Sequence, residues 1–251
     1  ETDTIYGGAQ LFKEGSVAKL GQIARTHYLD HVSSAENLLE ILEPQETSLD
    51  LWQRINDRVV ERLKDYPIAD FRIDFEDGYG YRADHEEDAD AVRCGVALAV
   101  EYKAGNLPKS CGIRIKPLTM ISYTRSIRSL ELFVTALLKI TAGKFPDGFV
   151  VTIPKVTSEH QVSALNTLLG ALESHHGLPI GTIKIEIMVE SPDALCTDQG
   201  VCPLPSFVEA AEGRCRGVHF GTYDYSAACD VTAEYQSCLL YTSDAADDTP
   251  C

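Results

Sequence analysis

Residues 70–78 read Asp-Phe-Arg-Ile-Asp-Phe-Glu-Asp-Gly, and this stretch joins a strand pattern to a pair of acids. Apolar side chains at positions 71, 73 and 75 alternate with charged side chains at 72, 74 and 76. A period of two residues predicts a β-strand. Asp77 and Gly78 follow immediately. The stretch therefore predicts a sheet element that ends in ionisable groups.

Strand and helix patterns alternate along the rest of the chain. Apolar residues recur at helical spacing between the strands, and Ser158 with Gln161 has the pattern of a capping box that opens one helix. The predicted strands cover 4–7, 70–75, 111–115, 149–153, 183–189 and 216–220. Such alternation predicts an α/β fold with a parallel sheet and crossover helices. A doubly wound sheet and a (β/α)₈ TIM barrel both satisfy this pattern.

Ionisable residues at the ends of five consecutive strands favour the barrel. They are Glu76 and Asp77 after the second strand, Arg114 and Lys116 at the third, Lys155 after the fourth, Glu190 at the fifth and Asp224 after the sixth. In a barrel these ends converge on one mouth, whereas in an open sheet they spread along an edge. Each charge alone is also typical of a solvated loop. The fivefold repetition is what predicts a common site.

Charged side chains also lie within the predicted strands. Arg72 and Asp74 share one face of their strand, as do Lys184 and Glu186 of another. Buried charges have to be paired. These residues are therefore expected either to form a paired network inside the barrel or to lie near its ends.

The composition excludes several classes of protein. The formal charge of −16 disfavours nucleic-acid binding, and no local basic patch offsets it. No apolar run reaches the roughly 18 residues that span a bilayer, so no membrane partner is expected. The eight cysteines contain no C-x-x-C pair, which favours reduced thiols in a cytoplasmic protein. No G-x-G-x-x-G follows the first strand and no P-loop occurs, so no nucleotide cofactor is expected.

The acids at the mouth suit a hard divalent cation. Glu190 and Asp224 can hold Mg²⁺ or Mn²⁺, which takes one or two carboxylates and completes its shell with water and substrate oxygens. Arg114 can bind a substrate carboxylate or the oxygen of an enolate. Asp77 or Glu76 can take a proton. This set supports making or breaking a carbon–carbon bond through an enolate.

These segments resemble the citrate lyase β-subunit / HpcH–HpaI aldolase family, within the phosphoenolpyruvate/pyruvate-binding barrel superfamily. The resemblance is carried, in family order, by residues 74–78, 112–117, 151–156, 187–192 and 219–225. It departs from the family at Lys116, where Asn is common, at residues 7–10 after the first strand, and in a longer helical insert at about 35–65.

The resemblance implies a (β/α)₈ barrel with a Mg²⁺ site and assigns roles to particular residues. By it, Glu190 and Asp224 match the metal ligands, Arg114 the substrate-binding arginine, and Asp77 an active-site acid. The expected catalytic residues are Arg114, Asp77, Glu76 and Lys155. The expected substrate-binding residues are Arg114, Lys116, Gly221 and Thr222.

Three functions remain open at this point. The first is an Mg²⁺-dependent carbon–carbon lyase acting on a keto acid or an acyl-CoA-type substrate. The second is other chemistry on the same barrel, either phosphoryl transfer from a phosphoenolpyruvate-like substrate or thioester hydrolysis. The third is a barrel that binds a small acid without catalysis. His219 is a weaker candidate for a general base, because a strand histidine is more often a core residue.

The strand count indicates that the barrel is incomplete. Only six strands are predicted by residue 220, so we expect residues 1–237 to form a TIM-barrel domain that lacks its last strands. Residues 238–251 resemble the translation of a DNA-sequencing adapter, and we expect a non-native tail, with a natural polar tail as the alternative. The full-length protein is expected to be a homo-oligomer.

Overall fold

Six parallel strands form one sheet in the order in which they occur along the chain. The computed structural model describes residues 3–42 and 48–236. The strands are β1 (Thr4–Gly8), β2 (Asp70–Asp74), β3 (Ser110–Arg114), β4 (Phe149–Ile153), β5 (Lys184–Val189) and β6 (Cys215–Phe220). Parallel pairing in chain order is the arrangement of a (β/α)₈ barrel. The predicted α/β fold with six barrel strands is therefore confirmed. Within the described residues the sheet is not closed into a barrel.

Helices separate the strands as the sequence predicted. They are α1 (Ser16–His31), α2 (Ala35–Leu42), α3 (Leu49–Asp65), α4 (Asp84–Ala104), α5 (Tyr123–Thr141), α6 (Glu159–His176), α7 (Leu204–Ala210) and α8 (Thr222–Ala228). The capping box of α6 is present, with Ser158 accepting from the amide of His160 and Gln161 reaching back to the amide of Ser158. α8 was not predicted, because its seven residues are too few to show a helical period.

The chain divides into two compact units. One unit, residues 15–69, contains α1, α2 and α3, and along the chain it connects β1 to β2. The other unit, residues 3–14 and 70–236 of the described chain, contains the sheet and the remaining helices. The assignment of 1–237 to one domain stays a prediction, and the expected tail at 238–251 lies outside the described residues. No helix in the described ranges combines the length and apolarity that crossing a membrane requires.

Both faces of β2 are buried, which explains the strand pattern of the opening stretch. Every residue of β2 is buried, apolar and charged alike. On the apolar face, Phe149 of β4 stacks on Phe133 of α5 with ring centroids 5.9 Å apart. On the other face, the register pairs Asp74 with Arg114 in the neighbouring strand. The alternation therefore separates a helix-covered face from a polar face rather than a core from solvent.

The polar face is held by a network centred on Arg72. Its guanidinium donates to Thr152 Oγ1 at 2.9 Å and to both carboxylate oxygens of Glu186 at 3.0 and 3.1 Å, and it also pairs with Asp70. Thr4 Oγ1 donates to Asp70 at 2.8 Å. These contacts join β1, β2, β4 and β5. Of the two arrangements that the sequence left open, the structure has the paired network.

A second buried ion pair fixes the approach to β5 and β6. Arg214 binds both carboxylate oxygens of Glu173, the last acid of α6, at 2.7 Å each. The same carboxylate accepts the amides of Gly181 at 2.8 Å and Ile183 at 2.7 Å. Burial acts to raise the pKa of Glu173, but these hydrogen bonds and the charge of Arg214 outweigh burial and lower it. The carboxylate is therefore ionised where the loop before β5 needs an acceptor.

We expect Glu173→Gln to destabilise the protein by about 3 kcal/mol or more at neutral pH, because Arg214 is left buried without its counter-charge. The folded-state pKa of Glu173 is lowered, so its stabilisation is present above the unfolded-state pKa and is lost as the pH falls through the folded-state value. The difference from wild type should therefore shrink in acid. Urea denaturation at neutral and acid pH measures it, with the exposed Glu209→Gln as control. A loss of equal size at both pH values would contradict this account.

Candidate active site

The ends of three strands place acids around a lysine that follows a fourth strand. Lys155, two residues after β4, has its ammonium Nζ 3.0 Å from Asp77 Oδ2, 3.4 Å from Glu190 Oε2 and 3.6 Å from Glu76 Oε1, and it also pairs with the carboxylate of Asp224. We call these five residues the Lys155 cluster. Five of the residues predicted from the sequence are thus brought to one point, at the carboxyl ends of β2, β4, β5 and β6. This is the end of a parallel barrel where active sites are built.

Lys155 has an unusual backbone. Its φ is 52°, in the left-handed region that residues with a side chain seldom occupy. In this conformation its amide donates to Glu190 Oε1 while its ammonium approaches Glu190 Oε2. Strained backbone of this kind persists where surrounding contacts hold it, often at functional sites. One residue therefore binds both oxygens of Glu190, the most deeply buried acid of the cluster.

The cluster holds protons as well as charges. Burial raises the pKa of Glu76 to about 8, against the opposing charges of Arg114 and Lys155, and it raises the pKa of Glu190 to about 7. Burial also acts to raise the pKa of Asp77, but a hydrogen bond with Glu76 and the charge of Lys155 outweigh it and lower that pKa. At neutral pH Glu76 therefore keeps a proton beside an ionised Asp77. Neighbouring acids with separated pKa values are what general acid–base catalysis needs.

Arg114 lies beside the cluster and is rigidly held. Asp74 binds it through two hydrogen bonds, Nε to Oδ1 at 2.8 Å and Nη2 to Oδ2 at 2.6 Å. The guanidinium carbon lies 4.5 Å from the centre of the Tyr6 ring, and Nη1 lies 3.5 Å from Glu76 Oε2. The side chain is 1% exposed. A fixed cation thus borders the acids from the β3 side.

The role of Asp74 was not predicted from the sequence. Besides Arg114, its carboxylate accepts the amides of Glu76 at 2.8 Å and Gly78 at 2.7 Å, so it shapes the turn that presents the acids of β2. The signal was available, because Asp74 and Arg114 are buried charges on adjacent strands and such charges require partners. Tyr6, which faces Arg114, carried no comparable signal.

Lys116 makes its polar contacts with the loop after β2 and with the first turn of α4. Its ammonium donates to the carbonyls of Phe75 at 2.6 Å and Gly80 at 3.1 Å, and it lies 3.2 Å from Glu87 Oε2. The Tyr79 ring centre is 5.0 Å away. Lys116 thus holds this loop through two of its carbonyls. Its expected role in substrate binding stays a prediction.

Gly221 and Thr222 connect β6 to the cluster. A Cβ at Gly221 would lie 2.6 Å from Glu190 Cβ and 3.0 Å from Glu190 Oε2. Thr222 is buried at the start of α8, where its carbonyl accepts the Ser226 hydroxyl at 2.7 Å. The helix that begins here carries Asp224 in its first turn. The glycine therefore lets β6 approach Glu190, and α8 then places Asp224 on Lys155.

His219 lies outside the cluster. Its Nδ1 is 3.3 Å from the Tyr6 hydroxyl, and burial lowers its pKa. It also borders a cavity of about 460 Å³ whose lining includes the first residues of β1, β2 and β3, at the end of the strands opposite to the cluster. This cavity contains no member of the Lys155 cluster.

In the part of the chain that the structure describes, no group of three or more His, Cys, Asp and Glu side chains is arranged to hold a metal ion. The acids of the Lys155 cluster converge on an ammonium instead.

The comparisons with known proteins identify a family and a fold. A model of the family described as "Domain of unknown function (DUF6986)" matches residues 2–249. A search of curated proteins finds no match. Among solved structures, the lead(II) complex of Haloferax volcanii malate synthase matches at a TM-score of 0.50 and 16% identity, covering 66% of this chain and 44% of malate synthase. Its pyruvate/acetyl-CoA ternary complex matches at a TM-score of 0.47 and 15% identity, covering 66% and 42%.

The chain spans less than half of the malate synthase chain that it matches. At such low identity the likeness shows the fold alone. The expected relationship to the citrate lyase β-subunit family is therefore supported at the level of the barrel and no further.

We expect Gly221→Ala to destabilise the protein by about 1–3 kcal/mol, because the added methyl group overlaps Glu190 in a packed site. Its φ of −86° is open to alanine, so the effect is steric. Gly170→Ala is the matched control. It lies inside α6 with the nearest atom 3.7 Å from the new Cβ, and it should be neutral or stabilising. Denaturant midpoints compare the two, and equal midpoints would contradict the close packing of β6 on Glu190.

Proposed function

The chain belongs to the DUF6986 family, and we propose that its Lys155 cluster is the active site of an Mg²⁺-dependent carbon–carbon lyase. The substrate would be a keto acid or an acyl-CoA-type ester that reacts through an enolate. The observation that carries this proposal is the meeting of Glu190 and Asp224, from successive strand ends, on a single cation.

The acids present fit a divalent metal. Glu190 and Asp224 would hold Mg²⁺ or Mn²⁺, since both carboxylates already contact one cationic group, the ammonium of Lys155. Mg²⁺ commonly uses only one or two carboxylates and completes its shell with water and substrate oxygens, so two protein ligands suffice. When bound, it supplies a Lewis acid for the carbonyl of the substrate.

Arg114 would bind the oxygen that gains negative charge. Its two bonds to Asp74 and its position over the Tyr6 ring fix the guanidinium before substrate arrives. A preorganised donor in a buried site stabilises developing charge more than a mobile one does. Nη1 is the edge nearest to the cluster acids, 3.5 Å from Glu76 Oε2. We assign to Arg114 the substrate carboxylate or the enolate oxygen.

Glu76 and Asp77 would move the proton. Glu76 holds a proton at neutral pH and Asp77 is ionised beside it, so Asp77 can accept a proton and Glu76 can donate one. Asp77 is the more exposed of the two, with its side chain 41% exposed against 7% for Glu76. We assign the direct proton exchange with substrate to Asp77, with Glu76 behind it.

The five motifs shared in order with the citrate lyase β-subunit / HpcH–HpaI aldolase family support the choice of reaction and substrate class. They coincide with the cluster, because each contributes a residue of the cluster or Arg114. The absence of a Gly-rich phosphate loop from the sequence disfavours phosphoryl transfer that uses a nucleotide.

We expect Glu190→Gln and Asp224→Asn each to lower Mg²⁺-dependent cleavage by about a hundredfold or more, because the Lewis acid supplies several kcal/mol of transition-state stabilisation. The assay incubates the protein with Mg²⁺ and a panel of keto acids and hydroxyacyl-CoA esters, with products identified by mass spectrometry. Asp193→Asn is the matched control and should retain activity, because Asp193 is an exposed acid that follows β5 as Glu190 does.

Circular dichroism checks that each variant stays folded. Full activity of both cluster variants with EDTA present would overturn the proposal. Binding of panel compounds without any turnover would instead indicate a barrel that binds small acids.

A further inference from the structure

The ammonium of Lys155 contacts the same two carboxylates that are assigned to the metal. Nζ lies 3.4 Å from Glu190 Oε2 and pairs with Asp224 Oδ2. Protein oxygens lie about 2.0–2.1 Å from a bound Mg²⁺. A metal ion bonded to both carboxylates would therefore fall within contact distance of Nζ, where two cations repel each other strongly. Ammonium and metal cannot share this position.

The cluster also requires a cation in the absence of metal. Four acidic side chains face one another at this point, and Arg114 lies beside Glu76 while Glu190, 2% exposed, has Lys155 as its counter-charge. Removing charge from water is unfavourable unless a counter-charge is present. Without metal, Lys155 supplies a single positive charge to these acids, whereas a divalent ion would supply two.

Two features let the side chain leave without dismantling the site. The backbone amide of Lys155 donates to Glu190 Oε1 independently of the ammonium, so Glu190 stays held when Nζ moves. The Lys155 side chain is 31% exposed, whereas Glu190 is 2% exposed, so the lysine has a route to solvent and the acid does not.

We propose that Lys155 is a resident cation that holds the cluster together without metal and is displaced when a divalent ion binds, so that this lysine sets the metal affinity of the site. The inference rests on the proposed function through its ligands, Glu190 and Asp224. It adds a second role for Lys155, beside its expected place among the catalytic residues. Metal binding is then an exchange of one cation for another.

Binding of Mn²⁺ alone tests the exchange without any substrate. Titration calorimetry and electron paramagnetic resonance measure the affinity in wild type, in Lys155→Met and in the control Lys139→Met, an exposed lysine of α5. We expect Lys155→Met to bind Mn²⁺ at least about tenfold more tightly than wild type, with Lys139→Met unchanged. Tenfold corresponds to about 1.4 kcal/mol. Equal or weaker binding by Lys155→Met would overturn the inference.

A labelling measurement on wild-type protein covers the case in which Lys155→Met does not fold. Mg²⁺ should increase acylation of the Lys155 amine by an N-hydroxysuccinimide ester, followed by peptide mass spectrometry, and Lys139 serves as the internal reference. Unchanged or reduced labelling of Lys155 at saturating Mg²⁺ would overturn the inference.

The proposed metal site and the proposed role of Lys155 would be contradicted by different results. Mn²⁺ binding that Glu190→Gln and Asp224→Asn abolish, but that Lys155→Met does not tighten, removes only the role of Lys155. Failure of every form to bind Mn²⁺ removes the proposed metal site, and the displacement with it.

Discussion

The contact of one ammonium with four acidic side chains organises this end of the molecule. Lys155 stands among acids from the ends of β2 and β5 and from the first turn of α8, and its positive charge stabilises their close approach. The left-handed backbone of Lys155 also ties Glu190 to the chain after β4. The close approach of β6, which Gly221 permits, serves the same contact by bringing Asp224 within reach. Packing, backbone strain and charge thus act at a single point.

Pairing of buried charge extends this principle through the sheet. Asp74 holds Arg114 and the turn after β2, Arg72 joins β2 to β4 and β5, and Arg214 with Glu173 secures the approach to β5 and β6. The chain is strongly acidic overall, yet each of these arginines is buried with an acid. Such pairs tolerate loss of one partner poorly. The polar face of the sheet is therefore specified by charge pairing, while the helix-covered face is specified by apolar packing.

The sequence predicted the fold closely, for physical reasons. Alternating residues in 70–75 and the nearly continuous apolar run at 149–153 give strands whose ends agree with the structure within one residue. Ser158 and Gln161 marked the start of α6, because a capping box is a local pattern. α8 was not predicted, because its seven residues show neither a capping box nor a helical period.

The residues that form the candidate site could be predicted from the sequence, but the contacts between them could not. The convergence of Glu76, Asp77, Lys155, Glu190 and Asp224 followed from their places at strand ends. That Lys155 stands at the centre depends on strand register and on a φ of 52°, which no local pattern encodes. The engagement of Arg114 by Asp74, and of Lys116 by the loop after β2, likewise depends on tertiary contacts.

The central claim is that Glu190 and Asp224 form a binding site for one divalent cation. A crystal structure of the protein grown with Mn²⁺, with anomalous scattering data, tests it most directly. The account predicts one anomalous peak between the carboxylates of Glu190 and Asp224, with the Lys155 ammonium moved away. An absence of that peak, with the ammonium still among the acids, would contradict it.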